Sequence, residues 1–237
     1  MRLAIMLAMA MAMAIAAAST PAWAKDLPVP FVGCRSDGQT GPLAAPRNDD
    51  HAPKVPAQLA PRLAWYASNT TGGVLAPRGW RCFELYGSNG SVLMLSPTGL
   101  GADPFLAKLI GPAIQVSISL GDTSGRFEAA RIAARLFPDR KAFVQSVIAE
   151  GIAPRSQFPF GPYPYDSIQR FNRDYVTFET PAHREGLGTM TRLRPSADPI
   201  RGLVWMDTDN NATVLAVRLA PAQRNLSDYI IRAMTPR

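Results

Sequence analysis

Two histidines and one glycine-flanked serine are the residues that could support hydrolytic chemistry. His51 and His183 are the only histidines in the chain, and a Ser-His-Asp triad would have to use one of them. The best serine context is Ser88, within YGSNG at residues 86–90. A nucleophile elbow requires G-x-S-x-G between a strand and a helix, whereas here a tyrosine takes the first glycine position and a strand is predicted to follow. We therefore interpret Ser88 as part of a hairpin turn, and an envelope hydrolase with a Ser/His-based site is the alternative function.

An acidic turn near the C-terminus has the opening spacing of a cation-binding loop. Residues 207–211, DTDNN, match the D-x-D-x-N of a calcium loop, whose oxygens surround a hard cation. The sixth position is Ala212 instead of glycine, and the twelfth is Arg218 instead of the bidentate glutamate. GLG at residues 186–188 lacks the third glycine of a dinucleotide fingerprint, and the chain has no P-loop. We interpret residues 207–211 as a solvated hairpin turn and expect no metal and no cofactor.

Cys34 and Cys82 are the two cysteines of the chain. Neither has a histidine or another cysteine at ligand spacing, and the pair lacks the C-x-x-C spacing of a redox centre. In an exported protein an even pair favours a disulfide. The bond would close a loop of roughly 49 residues, worth about 4 kcal/mol on the chain-entropy model.

An aromatic loop and an arginine-bearing helix are the predicted contact surfaces. Residues 157–166, QFPFGPYPYD, alternate aromatic residues with prolines. Such a segment either forms a polyproline-II ligand for an aromatic-lined groove or lies on the protein's own core. The candidate binding residues are Phe158, Phe160, Tyr163 and Tyr165 of this loop and Arg126, Arg131 and Arg135 of the helix predicted over residues 126–137.

The N-terminus predicts export. Arg2 precedes an apolar run over residues 3–18, and Ala22-Trp23-Ala24 matches the small-x-small cleavage rule. The run of about 16 residues is short for a bilayer span, which needs about 20, so a signal peptide over residues 1–24 is favoured over a membrane anchor. We expect cleavage between Ala24 and Lys25, a periplasmic or secreted location, and a protein that is not transmembrane.

The charge balance narrows the class of partner. The formal net charge is +7, and it falls to +6 when Arg2 is removed with the signal peptide. A net positive charge on an exported protein favours an anionic surface or an acidic envelope protein as its partner. Positive residues spread over the surface for solubility would give the same net charge. Because the basic residues form no clustered run, no nucleic-acid partner is expected.

Hydrophobic periodicity and turn residues predict an α+β fold with a largely antiparallel sheet. Two consecutive helices and a C-terminal helix pack on that sheet, and Ser124 is the expected N-cap of the first helix. Residues 25–61 form a Pro/Gly-rich lead-in, too rich in proline for a core of its own, which the disulfide would staple to a single domain over residues 62–237. Strands are predicted over residues 63–67, 80–86, 91–96, 113–120, 175–178, 201–206 and 213–219, and helices over 126–137, 139–150 and 226–234.

Two stretches carry a resemblance to known families. GVLAPRGWRCFELYGSNG at residues 73–90, with FVGCRSDGQTGP at residues 31–42, resembles a family of exported bacterial proteins of uncharacterised activity, which implies export and the pairing of Cys34 with Cys82. The layout, with a Pro-x-Gly-Trp turn ending at Trp80 and a C-terminal helix after the last strand pair, is similar to the PsbP-like α/β/α sandwich. Proteins of that family act as accessory or assembly subunits.

No catalytic motif of the chain meets all of its required positions. The sequence therefore favours an exported, non-enzymatic binding or accessory protein of the bacterial envelope, with a partner that the residues do not identify.

Overall fold

The computed structural model describes residues 25–235, so the predicted signal peptide lies outside the described residues. In chain order the described strands are β1 Asp26–Pro28, β2 Phe31–Gly33, β3 Arg35–Gly38, β4 Lys54–Pro56, β5 Leu63–Ser68, β6 Gly72–Pro77, β7 Arg81–Gly87, β8 Gly90–Ser96, β9 Ala113–Ser119, β10 Ser167–Arg170, β11 Tyr175–Thr180, β12 Ile200–Met206 and β13 Ala212–Arg218. The α-helices are α1 Arg126–Leu136, α2 Lys141–Ala149 and α3 Ser227–Ala233.

A mixed sheet of eight strands dominates the described residues. Its order is β10-β11-β12-β13-β9-β8-β7-β3, and every neighbouring pair is antiparallel except β3 with β7. A second sheet has the order β2-β5-β6, and β1 pairs with β4 in a third. The predicted α+β class with a largely antiparallel sheet is confirmed.

The large sheet separates two hydrophobic cores, because successive side chains of a strand point to opposite faces. On β9, Ile114 and Val116 belong to the core that also contains the three-stranded sheet and α3. Ala113 belongs to the opposite core, which contains α1 and α2. The two consecutive helices and the C-terminal helix therefore pack on the sheet as predicted, and they do so on opposite faces.

The hairpin predicted at residues 87–90 is confirmed, and Ser88 lies in its turn. Gly87 pairs with Gly90 at the end of the β7–β8 ladder. Gly90 has a φ of 134°, and a Cβ at this position would lie 1.8 Å from the carbonyl oxygen of Ile118. Both the backbone angle and the close approach of β9 require glycine there.

The predicted disulfide is confirmed. Cys34 and Cys82 are joined by a bond of 2.01 Å between their sulfur atoms, with 5.4 Å between the Cα atoms. Cys34 lies between β2 and β3, and Cys82 lies on β7. The bond therefore joins the lead-in to the large sheet, as the sequence indicated.

The lead-in contributes far more than a stapled extension. Its four strands enter all three sheets, and Val55 is fully buried in the core shared with β5 and β6. Sequence reasoning expected only extended or loop backbone here, because strands of three or four residues with prolines give no alternating pattern long enough to detect. Parallel pairing with β5 and β7 supplies the ladder bonds that such short strands lack on their own.

Glu84 is a buried carboxylate that joins the lead-in to both larger sheets. Its side chain is fully buried and accepts hydrogen bonds from the hydroxyls of Ser36, Ser68, Thr70 and Thr71 and from the backbone N–H of Thr71, at 2.6 to 3.0 Å. Burial disfavours the charged form, but these hydrogen bonds outweigh it and lower the pKa of Glu84 below its ordinary value. Glu84 forms no ion pair within residues 25–235, and the hydroxyl and amide donors stabilise its buried carboxylate instead.

The helix boundaries differ from the prediction in two places. The N-cap of α1 is Gly125 without a side-chain cap bond, not Ser124, and Thr123 Oγ1 accepts from the Gly125 N–H instead. The first helix, α1, ends at Leu136, because Pro138 cannot donate a backbone hydrogen bond to continue it. A 3-10 turn over Pro138–Arg140 then precedes α2. Across residues 25–235, none of the helices is both long enough and apolar enough to cross a bilayer.

Candidate functional site

The polar side of β9 forms the floor of the candidate site. Gln115, Ser117 and Ser119 alternate with the core residues Ile114 and Val116, so they share the face on which the helices pack. The helices leave this part of the face uncovered. The result is a groove of about 740 Å³ with a hydroxyl- and amide-rich floor.

Two walls enclose this groove, which we call the β9 groove. One wall is α1, which contributes Phe127, Glu128 and Arg131. The other is the segment of residues 187–194, which contributes both threonines and arginines. The complete lining is Leu85, Tyr86, Asn89, Gly90, Ser91, Val92, Phe105, Gln115, Ser117, Ile118, Ser119, Ser124, Gly125, Phe127, Glu128, Arg131, Ile132, Leu187, Thr189, Met190, Thr191, Arg192, Arg194 and Val214.

Positive charge exceeds negative charge around the groove. Arg131, Arg192 and Arg194 line it, and Glu128 is its one acidic residue. Arg131 forms an ion pair with Glu128 at 2.9 Å. Arg194 is exposed and takes part in none of the ion pairs within residues 25–235. Arg192 likewise forms none of these ion pairs, so within the described part of the chain two groove arginines have no carboxylate partner. The groove is therefore suited to an anion.

The second wall is held in place by the floor. Gln115 is buried, and its Oε1 accepts a 2.8 Å hydrogen bond from the backbone N–H of Arg192. Arg192 Nη1 donates to the carbonyl oxygen of Phe105 at 2.7 Å. Gln115, on the floor of the groove, therefore also holds residues 187–194 of the second wall in place.

The predicted aromatic loop, residues 157–166, lies against α1 and next to the groove. Phe158 is buried in the core with α1 and α2. The guanidinium of Arg131 lies 5.8 Å from the centre of the Phe158 ring, and that of Arg135 lies 4.0 Å from the Tyr163 ring. The structure therefore brings these two arginines together with the loop, and each arginine covers an aromatic face.

The remaining aromatic residues of the loop point to solvent. Phe160 and Tyr165 are exposed, and Arg184 lies 4.4 Å from the centre of the Tyr165 ring. Of the two arrangements open to this loop, the structure shows one in which it lies on the core, with Phe158 and Tyr163 inward. Of its predicted contact residues, Phe160 and Tyr165 are the two with exposed rings available to a partner, whereas the buried ring of Phe158 is part of the core.

Arg126 is separated from the other two helix arginines by its own ion pair. Its guanidinium makes a bidentate contact with Glu150 at 2.5 to 3.0 Å, joining the start of α1 to the end of α2. Hydrogen bonds from Arg126 lower the pKa of the Glu150 carboxyl. Arg126 does not line the groove, so of the three predicted arginines only Arg131 does.

The residues considered for hydrolysis do not converge. The ring Nδ1 of His51 lies within hydrogen-bonding distance of the Asp49 carboxylate, at 3.0 Å. The same carboxylate accepts a hydrogen bond from the indole N–H of Trp65. His183 is exposed, and its backbone N–H donates to Ser196. Within residues 25–235 neither histidine ring is hydrogen-bonded to a serine hydroxyl, so no contact favours a Ser/His-based site.

The acidic turn at residues 207–211 is the hairpin connection between β12 and β13, as interpreted from the sequence. The carboxylate of Asp207 accepts from the backbone N–H groups of Asp209 and Asn211 and from the Asn211 amide, at 2.8 to 2.9 Å. Its oxygens thus act as a turn cap.

Most groove residues were missed by sequence reasoning. The alternation of Gln115, Ser117 and Ser119 with apolar residues was visible, and it placed polar side chains on one face of β9. It gave no indication that Arg192 and Arg194, more than 70 residues later, would lie beside that face, because such contacts depend on chain folding.

Comparisons with protein-family models, with curated proteins and with solved structures find no match to this chain. The two resemblances derived from the sequence stay predictions.

Proposed function

We propose that this chain is a binding or accessory protein of the bacterial envelope, and that the β9 groove holds an anionic ligand. The observation that carries the proposal is the combination of a polar β9 floor with two arginines on the facing wall, Arg192 and Arg194, which form no ion pair within residues 25–235. Acting by binding, without catalysis, is the function that these contacts support best.

The ligand chemistry follows from the lining. Guanidinium groups bind carboxylate and phosphate oxygens with two parallel hydrogen bonds. Ser117, Ser119 and Thr191 add neutral hydroxyl groups, which donate to or accept from the same ligand. The groove therefore suits a ligand that carries carboxylate or phosphate groups and further polar atoms.

The proposed location rests on the N-terminal pattern and on the disulfide. Disulfides persist in oxidising compartments, such as the periplasm and the extracellular space. The bond between Cys34 and Cys82 supports a periplasmic or secreted protein after removal of residues 1–24.

A titration followed by nuclear magnetic resonance tests the groove. Inorganic phosphate and a hexaglutamate peptide are added to the isotope-labelled chain. We expect both to shift the amide signals of Ser117, Thr191 and Arg194. Arg194→Glu should weaken the binding by about tenfold or more, because it reverses the charge that faces the ligand.

Two further variants complete the test. Ser117→Trp should block the groove floor without removing a charge. Arg232→Glu, on the exposed side of α3, is the matched charge reversal away from the groove and should leave the binding unchanged. Shifts that are absent, or that are equally weakened by Arg232→Glu, contradict the proposal.

A further inference from the structure

We propose that residues 97–112, the connection between β8 and β9, form a loop that docks onto an anionic lipid bilayer. We call this segment the 97–112 loop. The docking surface lies outside the polar floor of the β9 groove, but Phe105, Arg192 and Arg194 border both. The proposal is therefore tested at Leu106, Lys108 and Ile110, which do not line the groove.

The loop exposes three large apolar side chains within six residues. Leu106 is 73% exposed, Ile110 is 65% exposed and Phe105 is 46% exposed. Single exposed apolar residues are common on protein surfaces, but three large ones within six residues of one loop indicate an interaction site. Ala107 and Leu109 alternate with them and are buried, so the exposed side chains lie on the outer side of a packed loop.

The loop is ordered by bonds to the rest of the protein. Leu109 is hydrogen-bonded to the backbone of Arg192 and Arg194 at 2.9 Å each. The buried guanidinium of Arg218 donates to the carbonyl oxygens of Gly111 and Leu109. The exposed side chains are therefore held outward on a fixed base, which reduces the entropy lost when they enter another phase.

The charges around the loop are mainly positive. Lys108 lies between the exposed apolar residues. Arg81 lies beside Gly99 of the loop, with its Nη1 3.8 Å from the point that a Cβ on Gly99 would occupy. Arg192 and Arg194 lie at the base. Asp103 is the acidic residue of the loop, and its carboxylate accepts from the N–H of Phe105.

Exposed apolar side chains flanked by positive charges favour an anionic bilayer as the partner of the loop. Apolar side chains flanked by lysine and arginine bind at the boundary between head groups and acyl chains. There the apolar groups leave water, and the cations meet negatively charged lipids. A second copy of the chain would bring the same four positive side chains together, which like-charge repulsion disfavours.

Vesicle co-sedimentation tests the proposal on the purified chain. One set of vesicles contains phosphatidylethanolamine with phosphatidylglycerol, and the other contains phosphatidylcholine alone. We expect binding to the first set, weakened by added salt, and at least about tenfold weaker binding of the double variant Leu106→Ser/Ile110→Ser. Lys108→Glu should reduce binding to the anionic vesicles without removing an apolar group.

Ile152→Ser is the matched control, because Ile152 is 68% exposed outside the loop. It should bind like the parent chain. All variants have the same N-terminal residues, so a difference in vesicle binding between them comes from the substitutions in the 97–112 loop. The proposal is overturned if the parent chain does not bind, or if it binds phosphatidylcholine vesicles equally well. It is also overturned if the double variant binds like the parent chain, or if light scattering shows that the double substitution turns an oligomer into a monomer.

Discussion

The guanidinium of Arg218 donates a hydrogen bond of 2.5 Å to the backbone carbonyl of Leu109, a residue 109 positions earlier in the chain. The same side chain donates to Gly111 and Arg194, so one buried cation joins the end of β13 to two surface segments. Burial lowers the pKa of the Arg218 guanidinium, with the charge of Asp198 opposing the shift. These segments are the base of the 97–112 loop and one wall of the β9 groove.

Replacing Arg218 with methionine should loosen both segments. The change removes the guanidinium bonds to three carbonyl oxygens, of which that of Leu109 keeps the N–H of Arg194 as a donor. We expect the free energy of unfolding to fall by about 3 kcal/mol. Hydrogen exchange at the amide of Arg194, which donates to Leu109, should accelerate. Arg155→Met, at an exposed arginine, is the control; an equal effect of both substitutions in chemical denaturation would count against this role of Arg218.

Glu84 should make stability depend on acidity. Its folded-state pKa lies below the ordinary value of 4.5, so its contribution is present above that value and is lost as the pH falls through the folded-state pKa. Glu84→Gln should lower the free energy of unfolding by about 2 kcal/mol at neutral pH. The difference in the free energy of unfolding between this variant and the parent chain should disappear at acidic pH. Glu185→Gln, at an exposed position, is the control and should leave the free energy of unfolding at neutral pH unchanged. A difference that persists unchanged in acid would contradict the linkage.

The disulfide should supply a large share of the stability. Replacing Cys34 and Cys82 by serine together removes a bond that spans 48 positions, and the chain-entropy model gives a loss of about 4 kcal/mol. Denaturation of the double variant and of the reduced parent chain should agree. If reduction leaves the unfolding midpoint unchanged, the bond does not stabilise the fold.

The aromatic loop offers a matched pair of substitutions. Phe158→Ala creates a cavity between the loop and α1 and should cost about 3 kcal/mol. Phe160→Ala, two residues on and exposed, should change the free energy of unfolding by less than about 0.5 kcal/mol. Thermal and chemical unfolding measure both; similar costs at the two positions would show that the loop does not lie on the core in solution.

The sequence alone determined the features that depend on residues close together in the chain. It also determined the disulfide, for which the chain offers one possible pair of cysteines. The alternation of β9, the glycine-rich hairpin at residues 87–90 and the amphipathic α2 follow from local periodicity and turn chemistry. The pairing of Cys34 with Cys82 needed no geometry, because the chain has no other cysteine.

Only the tertiary structure decided which distant groups meet. The lead-in strands, Glu84 among five donors and Arg218 beneath the 97–112 loop all rest on contacts between residues far apart in sequence. A residue's type shows whether it can donate or accept, but not which partner the folded chain brings within hydrogen-bonding distance. Phe158 and Phe160 make this plain. They are the same residue type two positions apart, and the packing against α1 buries one and exposes the other.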